Sequence, residues 1–190
     1  MKRIILIECP RDAMQGIKMF IPTEKKIKYI QALLGCGFDT LDFGSFVSPK
    51  AIPQMVDTRA VLEGLDLTQS KSKLLAIVAN LRGAQDASVH EQIDYLGYPF
   101  SISENFQMRN THKTIAQSVE TLKAILEVAN QSGKQVVTYI SMGFGNPYGN
   151  SWIVEIVGEW TEKLVQMGVT ILSLLDTVGS SMPEVITYLF

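Results

Sequence analysis

"IILIECPRDAMQG", residues 4–16, runs from an apolar β-favouring stretch through Glu8 and a proline into an arginine–aspartate pair. The apolar part has the length and composition of a buried strand. The polar residues then stand where that strand would end. An isolated acid at such a point is usually a helix cap or a turn former. Arg11 beside Asp12 would also suit a surface ion pair contributing about 0–1 kcal/mol. Whether these residues belong instead to a shared site depends on which residues close the other strands.

The arrangement recurs. "TLDFG" (40–44), "LLAIVAN" (74–80), "DYLGYPF" (94–100), "QVVTYISM" (135–142) and "TILSLLD" (170–176) are further strand-like runs. Steps from Glu8 to Asp176 average about 34 residues, close to the roughly 30-residue βαβ unit. Helical patterns fill most of the gaps. Thr23 is placed to cap a helix carrying Ile27, Ile30 and Leu34 on one face, with Gly35 and Gly37 as stops. Ile115, Val119, Leu122, Leu126 and Ala129 share a second face that ends at Gly133. A third helix, after Asn150 and Ser151, is expected to bury Ile153, Val157, Trp160 and Leu164 and to end near Gly168. This alternation predicts an α/β fold with a parallel sheet buried on both faces.

Two parallel architectures compete. An open doubly wound sheet would usually announce a nucleotide by a glycine-rich first turn, and "ECPRDAMQG" has no GxGxxG. Polar residues instead close each successive strand. Arg11 and Asp12 follow the first, Asp42 lies near the end of the second and Asn80 closes the third. Ser101, Ser103 and Glu104 follow the fourth, Tyr139 and Ser141 end the fifth, and Asp176 and Thr177 end the sixth. A TIM-type (β/α)8 barrel requires this, because its site is built at the carboxyl ends of several strands.

Composition narrows the function classes. Of 190 residues, 46% are apolar and 19% charged, as in a packed globule, and the net charge of −2 recommends neither nucleic acid nor an acidic membrane surface as a partner. The first apolar run is too short for a secretory signal, and no segment approaches the roughly 18 apolar residues of a membrane span. Cys9 and Cys36 form no CxxC pattern. The expectation is a cytoplasmic protein with reduced thiols, each cysteine a small buried residue.

"ECPRDAMQG", "GSFVSPKAIPQM", "YISMGFGNPYG" and "SLLDTVG" together resemble the hydroxymethylglutaryl-CoA lyase branch of the metal-dependent lyase and acyltransferase barrels, from about residue 4 to residue 190. The "SFVSPKAIPQM" stretch favours the lyases over the Claisen-type synthases. The resemblance implies retro-Claisen cleavage of 3-hydroxy-3-methylglutaryl-CoA to acetoacetate and acetyl-CoA, with a divalent cation, Mg²⁺ or Mn²⁺. By that likeness Asp12 matches the metal-binding aspartate and Arg11 the enolate-stabilising arginine. Gln15 matches a substrate-proximal glutamine. Asp42 stands where relatives often have glutamate, an acid orienting the arginine or the substrate. Tyr139, Ser173, Asp176 and Thr177 match residues at the substrate end of the pocket. The implied partner is a small-molecule CoA thioester, and a homo-oligomer is left open.

The pattern is also incomplete. Relatives supply a His-x-His pair from a seventh strand, an asparagine from an eighth and a cysteine on a glycine-rich loop. His90 and His112 have no such spacing and read as solvent-facing or capping residues. Residues 1–190 are therefore expected to form one partial barrel domain of about six β/α units, without strands seven and eight and without the remaining metal ligands. Leu175 stands where relatives tend to have Gly or Ser, which would narrow the pocket. "GFGNPYGN" reads as turn chemistry or ligand contact, and Lys50 as a loop residue or a CoA-phosphate contact. A Claisen-type acyltransferase and a catalytically inactive fragment remain the alternatives.

Overall fold

The structure, a computed structural model, describes residues 4–190. Six parallel strands pair strictly in chain order. They are β1 (Ile7–Glu8), β2 (Thr40–Ser45), β3 (Lys73–Ile77), β4 (Tyr95–Ser101), β5 (Gln135–Ser141) and β6 (Ile171–Leu174). Helices α1 (Pro10–Gln15) and α2 (Thr23–Leu34) join the first two. A 3-10 turn (Pro53–Met55) and α3 (Thr58–Glu63) precede β3, and α4 (Leu81–Ser88) precedes β4. Then come α5 (Glu104–Thr111), α6 (Ile115–Gln131), α7 (Val154–Gln166) before β6, and α8 (Pro183–Leu189) after it. A doubly wound sheet would reverse its order at a switch point. Here every strand pairs with its successor, which is the winding of a (β/α)8 barrel with six units present. Among the described residues β1 and β6 do not pair with each other. No helix in that range is long and apolar enough to cross a membrane.

Alternate side chains along each strand point to opposite faces. The outward set, including Leu41, Phe43, Leu74, Ala76, Leu96 and Phe100, packs under the helices in one continuous cluster with Ile30, Leu122, Ile125 and Leu164. The inward set is smaller: Leu75, Ile77 and Val137 with Tyr95, Tyr139 and Ile171. Across the sheet Ile77, Gly97, Val137 and Ile171 share one register level, with Pro99, Tyr139 and Ser173 on the next level towards the carboxyl ends. Gly97 is bare for a reason. A Cβ there would come within 2.6 Å of Ile77 Cδ1, 2.9 Å of Leu75 Cδ2 and 3.1 Å of Tyr139 Cε2.

Several sequence expectations need correction. The first strand shrinks to Ile7–Glu8, because it is an edge; Ile4 and Ile5 are 80% and 65% exposed. Thr23 does not cap α2. Pro22 takes the cap position and the Thr23 hydroxyl donates instead to Asp57 Oδ2 at 2.7 Å. Ile153 precedes α7 and is exposed, whereas Val157 and Leu164 are buried and Trp160 packs partly buried on Phe100. Neither cysteine is a core thiol, since Cys9 and Cys36 are both exposed at helix ends. The helix over 115–131 forms as read, with a capping box between Thr114 and Gln117 and Gly133 at positive φ just beyond it.

The glycines in the helical layer give a direct check. A Cβ at Gly83 in α4 would meet the backbone oxygen of Phe46 at 2.3 Å, whereas one at Gly158 in α7 would meet nothing within 4 Å. Gly83→Ala should therefore lower stability by about 1–3 kcal/mol in urea unfolding, and Gly158→Ala should raise it by about 0.5–1 kcal/mol.

Candidate active site

The polar site grows from the first turn of α1. Pro10 starts that helix, where its fixed φ costs nothing and its missing N–H is not needed. Asp12 lies in the first turn, favourably placed at the positive end of the helix. Arg11, 11% exposed at its side chain, turns back over β2 towards Asp42, 1% exposed. Its Nε donates to both Asp42 oxygens at 3.1 and 3.2 Å, and Nη2 donates to Oδ2 at 2.6 Å. Nη1 donates to Asp12 Oδ1 at 2.9 Å and to Gln15 Oε1 at 2.8 Å, one helical turn on. Gln15 Nε2 donates to the same Asp12 oxygen at 3.2 Å. A guanidinium has five N–H groups. These bonds use the Nε hydrogen, both on Nη1 and one on Nη2, which leaves one Nη2 hydrogen uncommitted.

Burial and charge then set the protonation of the neighbours. Burial raises the Asp42 carboxyl, against the hydrogen bonds of Arg11. Burial pulls Arg11 down, but its bond to Asp42 and that carboxylate's charge more than offset it, so the guanidinium stays charged. The Cys9 thiol is pushed up to about 11, first by desolvation and then by the Asp42 charge. Tyr139 is raised by burial and then by Asp42. Both therefore carry their protons at neutral pH.

Arg11, Asp12, Gln15, Asp42, Tyr139, Asp176 and Thr177 line one cavity of about 790 Å³ at the carboxyl ends of the strands. Ser173 does not line it; it stands in β6 across from Tyr139. Asp176 is committed to its own loop and Thr177 to the turn after β5. The Asp176 oxygens accept from Ser180 N at 2.8 Å and from Ser181 N and Oγ at 3.1 and 2.7 Å, bonds that lower its carboxyl pKa, the Ser181 hydroxyl foremost. Thr177 Oγ1 accepts from Met142 N at 2.8 Å.

Other polar strand ends do structural work. Asn80 caps α4 through Gly83 N, and Ser103 caps α5 through Phe106 N while donating to Asn150 Oδ1 at 2.6 Å. Ser101 donates to Ser141 O, and Glu104 accepts from Ile115 N. The 143–150 loop is turn chemistry: Asn146 accepts from Tyr148 N and Asn150 N and donates to Asn150 O. Lys50 is exposed and lies outside the cavity lining. His90 packs tilted against Phe46 at 5.6 Å between centroids, and His112 ends α5 in the left-handed region. Leu175 does line the cavity, beside Asp176.

Phe106, Asn110 and Thr111 of α5 line it as well, and sequence reasoning missed them. The usable signal was Ser103, an N-cap two residues after β4, which starts a helix directly at the rim.

A divalent cation usually takes about six ligands. Asp42 is occupied by Arg11, Asp176 by its loop, and Asp12 has Oδ1 shared between Arg11 and Gln15. No group of three His, Cys, Asp or Glu side chains able to hold a metal lies together among the described residues. These residues alone do not fit a cation.

Comparison with known proteins agrees with this winding. Residues 3–190 match the family model described as HMGL-like. Mitochondrial hydroxymethylglutaryl-CoA lyase of Bos taurus is 34% identical over 96% of this chain and 56% of that protein. A Pseudomonas aeruginosa protein named 3-hydroxy-3-isohexenylglutaryl-CoA/hydroxymethylglutaryl-CoA lyase is 34% identical over 94% of this chain and 59% of that protein. An HMG-CoA lyase structure from Acinetobacter baumannii, in complex with coenzyme A and 3-methylmalate, superposes with a TM-score of 0.90 at 30% identity, over 97% of this chain and 60% of that one. The chain thus spans just over half the length of the curated relatives it matches. By a match across nearly all of its residues, with the barrel winding to go with it, this chain belongs to the HMGL-like family.

Proposed function

We propose that this chain carries the enolate-stabilising side of a 3-hydroxy-3-methylglutaryl-CoA lyase site, which yields acetoacetate and acetyl-CoA. In that reaction the tertiary hydroxyl loses its proton and the oxygen becomes a ketone. The C2–C3 bond breaks, its electron pair passes to the thioester as an enolate, and the enolate carbon then takes up a proton. The single observation behind this reading is the Arg11 guanidinium. It is nearly dry, fixed in plane by Asp42 and Gln15, and has one Nη2 hydrogen uncommitted beside the cavity. A positioned donor of that kind stabilises charge that develops on a thioester oxygen. Tyr139, protonated, is a second donor on the same wall. Val47, Ile52, Ile77 and Phe106 give an acyl chain apolar walls.

Under this reading the partner is a CoA thioester, and residues 1–190 act as one partial-barrel unit in the cytoplasm. A Mg²⁺ or Mn²⁺ ion at Asp12 would need ligands beyond the described residues.

In any form of the protein that turns over 3-hydroxy-3-methylglutaryl-CoA, Arg11→Ala should lower kcat by about 10²–10³-fold, read as acetyl-CoA release; unchanged turnover would remove Arg11 from the chemistry. Calorimetric titration of the 190-residue chain with Mn²⁺ should give a Kd no tighter than about 1 mM, and micromolar binding would mean that the rim holds further ligands. Alkylation of Cys9 by iodoacetamide should climb about tenfold per pH unit and level off only near pH 11. Asp42→Asn removes a charge that disfavours the thiolate, so its plateau should begin at lower pH; an unmoved plateau would refute the stated role of the Asp42 charge.

A further inference from the structure

Behind the cavity wall lies a buried polar cluster that the proposed chemistry does not use. Gln54, in the 3-10 turn, is 3% exposed. Its Oε1 accepts from Ile21 N at 2.8 Å, and its Nε2 donates to Ile17 O at 2.9 Å and Met19 O at 3.0 Å. Lys26 of α2, 2% exposed, donates to Gln54 O and to Asp57 Oδ1, the latter at 2.6 Å. Its ammonium lies 4.2 Å from the Phe20 ring centroid. Thr23 fills the second Asp57 oxygen. Burying an amide, an ammonium and a carboxylate together is costly unless each finds partners. Here each does, and a fully satisfied network of this kind is rigid.

The segments it joins both border the site. Residues 17–22 follow α1, which presents Arg11, Asp12 and Gln15 to the cavity. Gln54 ends the stretch that supplies Val47, Ala51 and Ile52 to the same cavity. Met14 of α1 and Met55, beside Gln54, are buried in one cluster. The bonds from Gln54 run to the backbone of residues 17–21, so they fix the path of the chain leaving α1, whatever side chains stand there.

We propose that Gln54 is a positioning residue. Braced by Lys26 and Asp57, it locks the exit of α1 to the 46–57 segment and thereby sets where Arg11 and Gln15 meet the cavity. The consequence for catalysis rests on the lyase reading; the positional claim does not. A mere loop staple would hold residues 17–21 without reaching Arg11.

Native-state hydrogen exchange separates the two on the unmodified chain. The Ile21 amide, bonded to Gln54, and the Arg11 Nε–H, bonded to Asp42, should open together with the same dependence on low urea. If Ile21 exchanges through a smaller opening while Arg11 Nε–H stays protected, the proposal is overturned. Gln54→Met keeps the volume and deletes the three bonds. In it the ¹⁵N resonance of Arg11 Nε should move and its proton should exchange roughly tenfold faster; an unmoved resonance in a folded variant overturns the proposal too. Neither readout uses turnover, so a failed thioester assay would sink the lyase reading and leave this one standing.

Discussion

A guanidinium bonded to a carboxylate that water barely reaches, Arg11 on Asp42, ties the first β/α unit to the second. Taking both charges out of water costs several kcal/mol per ion, and their attraction repays it only when the geometry is good and the remaining donors are satisfied. The planar fork meets that condition, with Nε and Nη2 on Asp42 and Nη1 divided between Asp12 and Gln15. Direction follows from it. Four committed hydrogens leave the fifth with no freedom to wander. The Asp42 charge reaches further, adding to burial in raising the Cys9 thiol and the Tyr139 hydroxyl, so this one contact orients a cation and disfavours a second negative charge beside it.

The parts of this arrangement legible in the sequence are those set by short-range chemistry. Strands such as "LLAIVAN" declare themselves because both faces of a parallel sheet are covered, and Leu74 to Ile77 are all buried. The rim is legible because polar residues follow apolar runs, and seven of the eight singled-out residues do line one cavity. What was not legible depends on contacts remote in the chain. Thr23 looks like a cap until Asp57, 34 residues away, takes its hydroxyl. Cys9 looks like a core thiol until Pro10 begins a helix and leaves it at the rim. Phe106 and Asn110 carry no mark of their own that tells rim from exterior, and only the Ser103 cap before them points there. Asp42, which the resemblance set opposite a longer acid, is reached by two nitrogens of Arg11.

Division of labour between the two faces of the sheet explains why the site tolerates so much polar matter. The large cluster that holds the fold together lies outside, between strands and helices. The inward cluster has three buried members and opens upward into the cavity. A change at the rim therefore takes little from the main core, provided that the inner layers keep their shape. Gly97 is where that proviso bites. Its missing side chain admits Ile77, Leu75 and the Tyr139 ring at once, and a methyl group there would have to displace one of them. Ile77 and the Tyr139 ring both line the cavity, so the interior packing of β4 and the shape of the site wall are a single constraint rather than two.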